Sequence, residues 1–473
     1  MMTQNDRRAG ILLPVFSLPS PYGIGTFGKE AYEFADHLKK AGQAFWQILP
    51  IGPTGYGDSP YQSFSTYAGN PYFIDPDMLK QEELLTEEDI SAFEWGSAPN
   101  YIDYGLLYKN RYPLLEKAFS RFRPGAEYKS FLEKEEPWLL DYTRYMNKKD
   151  GRGESFYCFV QYEFFKQWFA LKKYVNSLGI RIIGDLPIYV AMDSADVMAD
   201  KRLFQFAADG KPLAVAGCPP DPFAADGQLW GNPLYDWDYH EKTGFQWWIC
   251  RLRHCFRLYD VVRIDHFRGI DEYYAIPYDS TSARIGMWKK GPGMELLNAL
   301  KQAVGDMPVI AEDLGFLTPS VEKLVKDSGF PGMKVLEFSF DSRDDAKDLP
   351  DTWRRNAVAY TGTHDNQTIK SWFTELTEQD QAYAADYLKK TVPEVIAEDY
   401  VYTFIRVTMN SAADTAVIPL HDYKRLGSEA RINVPATCGG NWRWRFTNTI
   451  FCDNVWNEIL AVTTESGRTV RRG

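Results

Sequence analysis

Val262-Arg263-Ile264-Asp265-His266 is an apolar, β-like run that ends in a carboxylate. The chain holds two more of the same kind, Val309-Ile310-Ala311-Glu312-Asp313 and Tyr360-Thr361-Gly362-Thr363-His364-Asp365. In a barrel of parallel strands the carboxyl ends all open onto one face, so carboxylates far apart in sequence can converge there on one substrate. Cleavage of a sugar–sugar bond requires such a convergence. Similar runs recur on both sides of these three, at Gly10 to Pro14, Ala44 to Pro50, Ile180 to Leu186, Asp260 to Ile264, Pro308 to Glu312, Met333 to Phe338, Ala357 to Gly362 and Thr415 to Leu420. Helical patterns alternate with them, and eight is the number that closes a barrel. The sequence therefore predicts an α/β fold, a (β/α)8 barrel running over residues 1–473 as one catalytic unit.

One helix leads into the Ile180 strand, with Ser155 as N-cap, Cys158, Tyr162, Phe165 and Phe169 at helical spacing, and Gly179 just past its end. The spacing between strands is uneven. A large insertion over roughly residues 52–154 includes the acidic helical stretch Gln81 to Ala92 and the charged, aromatic run Glu133 to Tyr145. A second, roughly 205–240, is rich in Gly, Pro, Asp and aromatics and reads as a long loop over the site. No repeat or linker marks an independent second domain.

Composition narrows the function. A net charge of -11 argues against a nucleic-acid partner, whose affinity would come from clustered Lys and Arg. No apolar run reaches membrane-spanning length and no signal-type segment follows Arg7 and Arg8, which implies a cytoplasmic protein. The six cysteines are scattered and read as reduced thiols. Cys250 and His254 lie four apart on the predicted helix Trp247 to Leu258, but no second ligand pair of matching spacing accompanies them, so neither a metal nor another cofactor is expected. The aromatic fraction is 15%, with 14 Trp and 29 Tyr, more flat surface than a core strictly needs. Sugar rings stack on such faces.

The period of two puts Arg263 and Asp265 on one side of their strand, where the guanidinium would hold Asp265 ionised and suited to act as a nucleophile. For a single Arg-x-Asp taken alone, a structural ion pair is the better reading. Glu312 ends an apolar run, a setting that raises a carboxyl pKa and suits a general acid, while adjacent Asp313 should point away from it. Ala-Glu-Asp-Leu-Gly could equally be a strand turning into an acid-capped helix. His364 and Asp365 could clamp sugar hydroxyls or cap the next helix. Other chemistries find less support: Gly52 to Gly57 lacks the Gly-Lys-Ser/Thr ending of a phosphate loop, and His266 and His421 have no hydroxyl or thiol nucleophile in a recognisable motif. Trp247-Trp248 reads as core.

Arg263-Ile264-Asp265-His266-Phe267-Arg268-Gly269, Ala311-Glu312-Asp313-Leu314-Gly315 and Gly362-Thr363-His364-Asp365-Asn366 resemble, in order, the short catalytic regions of the α-amylase superfamily. Four other segments resemble the amylomaltase or disproportionating-enzyme family, the 4-α-glucanotransferases: Gly57-Asp58-Ser59-Pro60-Tyr61-Gln62-Ser63, Gly184-Asp185-Leu186-Pro187-Ile188-Tyr189-Val190, Leu229-Trp230-Gly231-Asn232-Pro233-Leu234-Tyr235 and Arg431-Ile432-Asn433-Val434-Pro435. The resemblance runs from the Gly10 strand to Trp444. It implies a barrel without a separate C-terminal β-domain, Asp265 as nucleophile, Glu312 as general acid/base and Asp365 as transition-state stabiliser. Tyr61, Asp185, Arg263 and His364 would line the subsite of the reacting glucose. Trp230 and Asn433 would meet the sugars flanking the cleaved bond, and Asn232 would also bind substrate. Pro219 to Trp230, with Phe223 and Trp230, would supply the cover that keeps the site partly dry.

The implied partners are α-1,4-glucan donors and acceptors: malto-oligosaccharides, amylose, and glucose as acceptor. An α-glucan hydrolase with the same carboxylates is the alternative, and a non-catalytic glucan binder has no need of all three acids with Arg263. Phe446 to Gly473 matches no motif, and Arg468 to Gly473 reads as a frayed tail.

Overall fold

The computed structural model describes residues 7–55, 57–220, 226–315, 317–343, 348–391, 399–452 and 454–469. Its centre is a barrel of eight parallel strands: β1 (Arg8–Leu12), β2 (Phe45–Gln47), β3 (Arg181–Leu186), β4 (Val261–Ile264), β5 (Val309–Ala311), β6 (Gly332–Val335), β7 (Ala357–Tyr360) and β8 (Thr415–Pro419). The hydrogen-bonded order is β6-β7-β8-β1-β2-β3-β4-β5, each strand beside its neighbour in sequence apart from the β8–β1 pair that joins the two ends of the chain. All eight predicted strands are present. Each is short and almost wholly buried, as expected where one face fills the barrel and the other lies under helices.

The seam between β5 and β6 is closed partly by a side chain. Ala311 N–H donates to Pro331 O at 2.9 Å, and Met333 N–H donates to Asp313 Oδ1 at 2.7 Å in place of a ladder bond. Asp313 thus turns away from Glu312 and serves the wall. At β3 the barrel meets the ring of Tyr259 so closely that a Cβ on Gly184 would lie 2.1 Å from it, which makes glycine a packing requirement there.

Three sequence expectations change. The helix before β3 spans Glu154–Ser177, but its N-cap is Gly153 with φ 93°, not Ser155, which lies exposed in the first turn. Gly153 N–H is taken by Asn147 Oδ1 at 2.9 Å, so the reversal needs the glycine conformation and no hydroxyl cap. The buried aromatic side chains are Phe156, Tyr157, Phe159, Phe164, Phe165 and Trp168, while Cys158, Tyr162 and Phe169 sit at the margin. This helix is covered on two sides, by the barrel and by the helix Ala126–Asp150, so the expected single stripe is too narrow. The stretch Gln81 to Ala92 is two helices, Pro76–Gln81 and Glu87–Ser91, interrupted at Glu83 with φ 61°.

The second insertion contains two paired antiparallel strands, where the sequence reads as a long loop. Strands Ala214–Cys218 and Gln228–Pro233 join Glu272–Pro277 and Met287–Lys290, from the β4–β5 connection, in a four-stranded antiparallel sheet. Its small core is Val215, Tyr274, Ile276 and Ala283. Arg468 is fully buried and donates to the carbonyls of Met409, Arg8, Asp414, Ser411 and Ala413, so it anchors the chain end to β1 and β8. A guanidinium offers five donors, and five converging carbonyls are its match.

Candidate active site

The carboxyl ends of β3, β4, β5 and β7 bring the predicted acids together. Asp265 N–H continues the sheet to Leu186 O at 3.0 Å, and Glu312 N–H donates to Ile264 O at 3.1 Å, so both acids sit at the same rim. Arg263, 3% exposed, lies inside the barrel beneath them. Its Nη1 donates to both oxygens of Asp185, at 2.8 and 2.7 Å, and to Asp265 Oδ1 at 3.0 Å; its Nη2 is 4.0 Å from Glu312 Oε2.

One guanidinium therefore faces three acids. The pull that Arg263 is expected to exert on Asp265 is present, but it is opposed. Burial raises the Asp265 carboxyl well above its ordinary value, Arg263 opposes this, and Asp185, Glu312 and Asp365 push it further up. Asp185 engages Arg263 through two of the three short bonds, which leaves Asp265 the smaller share. Burial raises Glu312 too, in line with its apolar strand, against the pull of Arg263 and two backbone bonds. Those bonds come from His266 N–H to Oε2 at 2.6 Å and Leu314 N–H to Oε1 at 2.9 Å. His266 reaches Glu312 because its backbone is left-handed, with φ 50°, an unusual conformation for a side chain of this size.

The other wall is aromatic. Tyr61, on the loop after β2, donates its hydroxyl to Asp185 Oδ2 at 2.7 Å and stacks on His364 with ring centres 5.1 Å apart and planes 15° from parallel. Trp442 packs beside both rings, 5.8 Å from Tyr61 and 5.9 Å from His364. Burial lowers the His364 pKa, so this imidazole is neutral at pH 7. Asp365 is more open, its side chain 44% exposed, and Oδ1 accepts from Asn433 Nδ2 at 2.6 Å. Arg431 steadies the same loop through the Asp365 carbonyl at 3.0 Å.

Trp230 stands edge-on to His266, 4.9 Å between centres, with its indole N–H on Gln228 Oε1 at 3.0 Å. Asn232 lies lower and is 4% exposed. Its Nδ2 donates to Val190 O at 2.7 Å and its Oδ1 accepts from Gln62 Nε2 at 3.0 Å, so both ends of the amide are engaged. Phe223 falls outside the described residues. Trp442, Arg431 and Glu337 belong to the site's surroundings and were not found from sequence; only the Arg-Ile-Asn motif pointed toward one of them.

Away from this rim, Cys250 is exposed and His254 is buried with Nε2–H on Tyr67 O at 2.9 Å. Among the described residues, no group of three or more His, Cys, Asp or Glu is arranged to hold a metal ion, and no helix is long and apolar enough to cross a membrane.

Known proteins resemble this chain over nearly its whole length. A family model described as 4-alpha-glucanotransferase matches residues 13–155 and 148–450. A 4-alpha-glucanotransferase of Clostridium butyricum is 44% identical, over 96% of this chain and 99% of its own, and one of Thermus thermophilus is 43% identical over 93% and 94%. The structure of an amylomaltase from Streptococcus agalactiae in complex with acarbose superposes with a TM-score of 0.94 at 39% identity, covering 98% of this chain and all of that one. The chain belongs to the 4-alpha-glucanotransferase family and is an enzyme of that type.

Proposed function

We propose that Asp265 is the nucleophile, Glu312 the general acid and then base, and Asp365 the stabiliser of the oxocarbenium-like transition state, in a retaining double displacement on α-1,4-glucans. The observation that carries this reading is the single guanidinium of Arg263 bonded to Asp185 and Asp265 and 4.0 Å from Glu312. Two buried acids near one cation do not both ionise readily, so the pair shares a proton. The short Arg263 bond favours the microstate with the charge on Asp265 and the proton on Glu312, which is the one the first step needs.

In that step Asp265 attacks the anomeric carbon while Glu312 protonates the departing oxygen, and the glucan leaves as a free 4-hydroxyl chain end. In the second, Glu312 removes the proton from the 4-hydroxyl of an incoming glucan, whose oxygen displaces Asp265. Tyr61, Asp185, Arg263 and His364 hold the reacting glucose, with Tyr61 and His364 as one flat wall. Trp230 and Asn433 meet the flanking sugars, and Asn232 fixes the strand that carries Trp230. Transfer outruns hydrolysis when the acceptor is bound and oriented while water is kept out, a cover we assign to residues 219–230 with Phe223. We read the chain as one barrel whose insertions serve this rim, acting in the cytoplasm on malto-oligosaccharides and amylose with glucose as an acceptor.

Incubation with maltotriose tests the reading. A transferase yields glucose plus chains longer than three units, whereas shorter sugars alone would mean hydrolysis.

A further inference from the structure

The connection after β6 turns through Leu336–Phe338, and the carboxyl of Glu337 in that turn reaches the loop that follows β7. Glu337 N–H donates to Thr361 O at 3.3 Å, and Glu337 Oε2 accepts from Asn366 Nδ2 at 3.1 Å. The other end of that amide, Asn366 Oδ1, accepts from the Thr363 N–H at 3.0 Å and the Thr363 hydroxyl at 2.8 Å. Thr363 Oγ1 in turn accepts from the Asp365 N–H at 3.3 Å. A continuous chain of hydrogen bonds thus runs from Glu337 through Asn366 and Thr363 to the backbone of Asp365.

We propose that Glu337 is a positioning residue for the glucanotransferase reaction, setting the place of Asp365 through Asn366. The inference rests on the reading of Asp365 as the transition-state stabiliser. Gly362 fits this arrangement, because a Cβ there would lie 2.8 Å from Glu337 Oε1. The ends of the loop are held separately: Asp422 accepts from the Thr361 hydroxyl at 2.6 Å and from Ile369 N–H at 3.0 Å, so Glu337 governs its middle, where His364 and Asp365 lie. Glu337 Oε1 is buried with no hydrogen-bond partner. Burial, with Asp422 adding to it, holds the carboxyl well above its ordinary pKa against Asn366, Arg431 and the Gln367 amide. Glutamine keeps the shape of this side chain and an oxygen to accept from Asn366.

The test is steady-state kinetics on maltotriose with folding checked in parallel. Glu337→Ala and Asn366→Ala break the same bond from opposite sides, and each lowers kcat about a hundredfold, the usual cost of a small misplacement at a reacting centre, with KM within about threefold. The double variant falls no further than either single one. Glu337→Gln keeps the acceptor for Asn366 and stays within about threefold of the parent. Unchanged kcat in Glu337→Ala, additive losses in the double variant, or a Glu337→Gln as impaired as Glu337→Ala overturns the proposal. If Glu337→Ala does not fold, Asn366→Ala and Glu337→Gln decide by the same readout. Asp365→Ala separates the two levels: activity in that variant removes the reading of Asp365, whereas an inactive Asp365→Ala beside a fully active Glu337→Ala overturns this inference alone.

Discussion

Asp265 at the barrel rim and Glu163 on the helix Glu154–Ser177 are both acids that burial pushes upward, Glu163 to about 7. Each has one cation nearby and at least one competing carboxylate. Glu163 lies 3.3 Å from Lys166, which also pairs with Glu82, and Asp265 lies 3.0 Å from Arg263, which also pairs with Asp185. The difference is access: the Asp265 side chain is 27% exposed and that of Glu163 is 0%. A shifted pKa thus marks a burial environment, and only the open face and the convergence of Glu312 and Asp365 turn one of these environments into a site.

The strongest way to break this contrast is to remove both charges isosterically. Asp265→Asn should lower turnover by about four orders of magnitude, because no covalent intermediate can form, with glucan binding retained. Glu163→Gln should leave turnover unchanged. Near-normal kcat in Asp265→Asn, measured by glucose release from maltotriose, would reject the assignment.

The cations sharpen it next. Arg263→Met leaves Asp185 and Asp265 buried without a counter-charge and should cost about 3 to 5 kcal/mol by chemical denaturation, besides abolishing transfer. Lys166→Met should cost under about 1 kcal/mol, since Glu163 simply keeps its proton and Lys166 is itself only partly buried. Equal losses in the two variants would show that the rim is no more preorganised than the helix.

The eight strands were legible because barrel strands are short apolar runs whose polar ends all fall on one rim. Asp265, Glu312 and Asp365 were legible for the same reason. What escaped depends on partners distant in sequence. The Asp265 carboxyl is raised by burial, opposed by Arg263 and reinforced by Asp185, which shares that guanidinium and lies 78 residues before it. Likewise the four-stranded sheet pairs residues 214–233 with 272–290, and neither segment alternates strongly enough to announce itself. Arg468 sits in a polar tail by composition, and only the fold shows five carbonyls converging on it. Leu336-Glu337-Phe338 reads as the end of the strand Met333 to Phe338, whereas the chain leaves the sheet at Val335 and turns there.

His254 extends the contrast to a base. Its ring lies against Tyr67, Trp138 and Phe165, and burial lowers its pKa to about 4, with Arg257 adding to the effect and Glu135 opposing it. A histidine whose folded pKa lies below its unfolded value contributes stability that is present above about 6.5 and lost as pH falls toward 4. Between pH 8 and 5 that loss is about 2 kcal/mol. His254→Gln keeps a donor for the Tyr67 carbonyl, so its unfolding free energy should fall about 2 kcal/mol less than the parent's over this range. Parallel pH profiles would mean that His254 is not held neutral.

Glu163 gives an effect of similar size and the opposite sign. Its folded pKa of about 7 lies above the ordinary 4.5, so its contribution is fully present below about 4.5 and lost as pH rises through 7. At pH 8 the folded protein carries a buried carboxylate only partly compensated by Lys166, which Glu82 also engages. Glu163→Gln removes the ionisation while filling the same space, and should stabilise the protein by about 3 kcal/mol at pH 8 and by about 1 kcal/mol at pH 5. The same isosteric exchange at Asp265 should abolish turnover. A Glu163→Gln variant that is no more stable at pH 8, or that loses turnover, would erase the distinction between an acid buried by packing and one that packing delivers to a substrate.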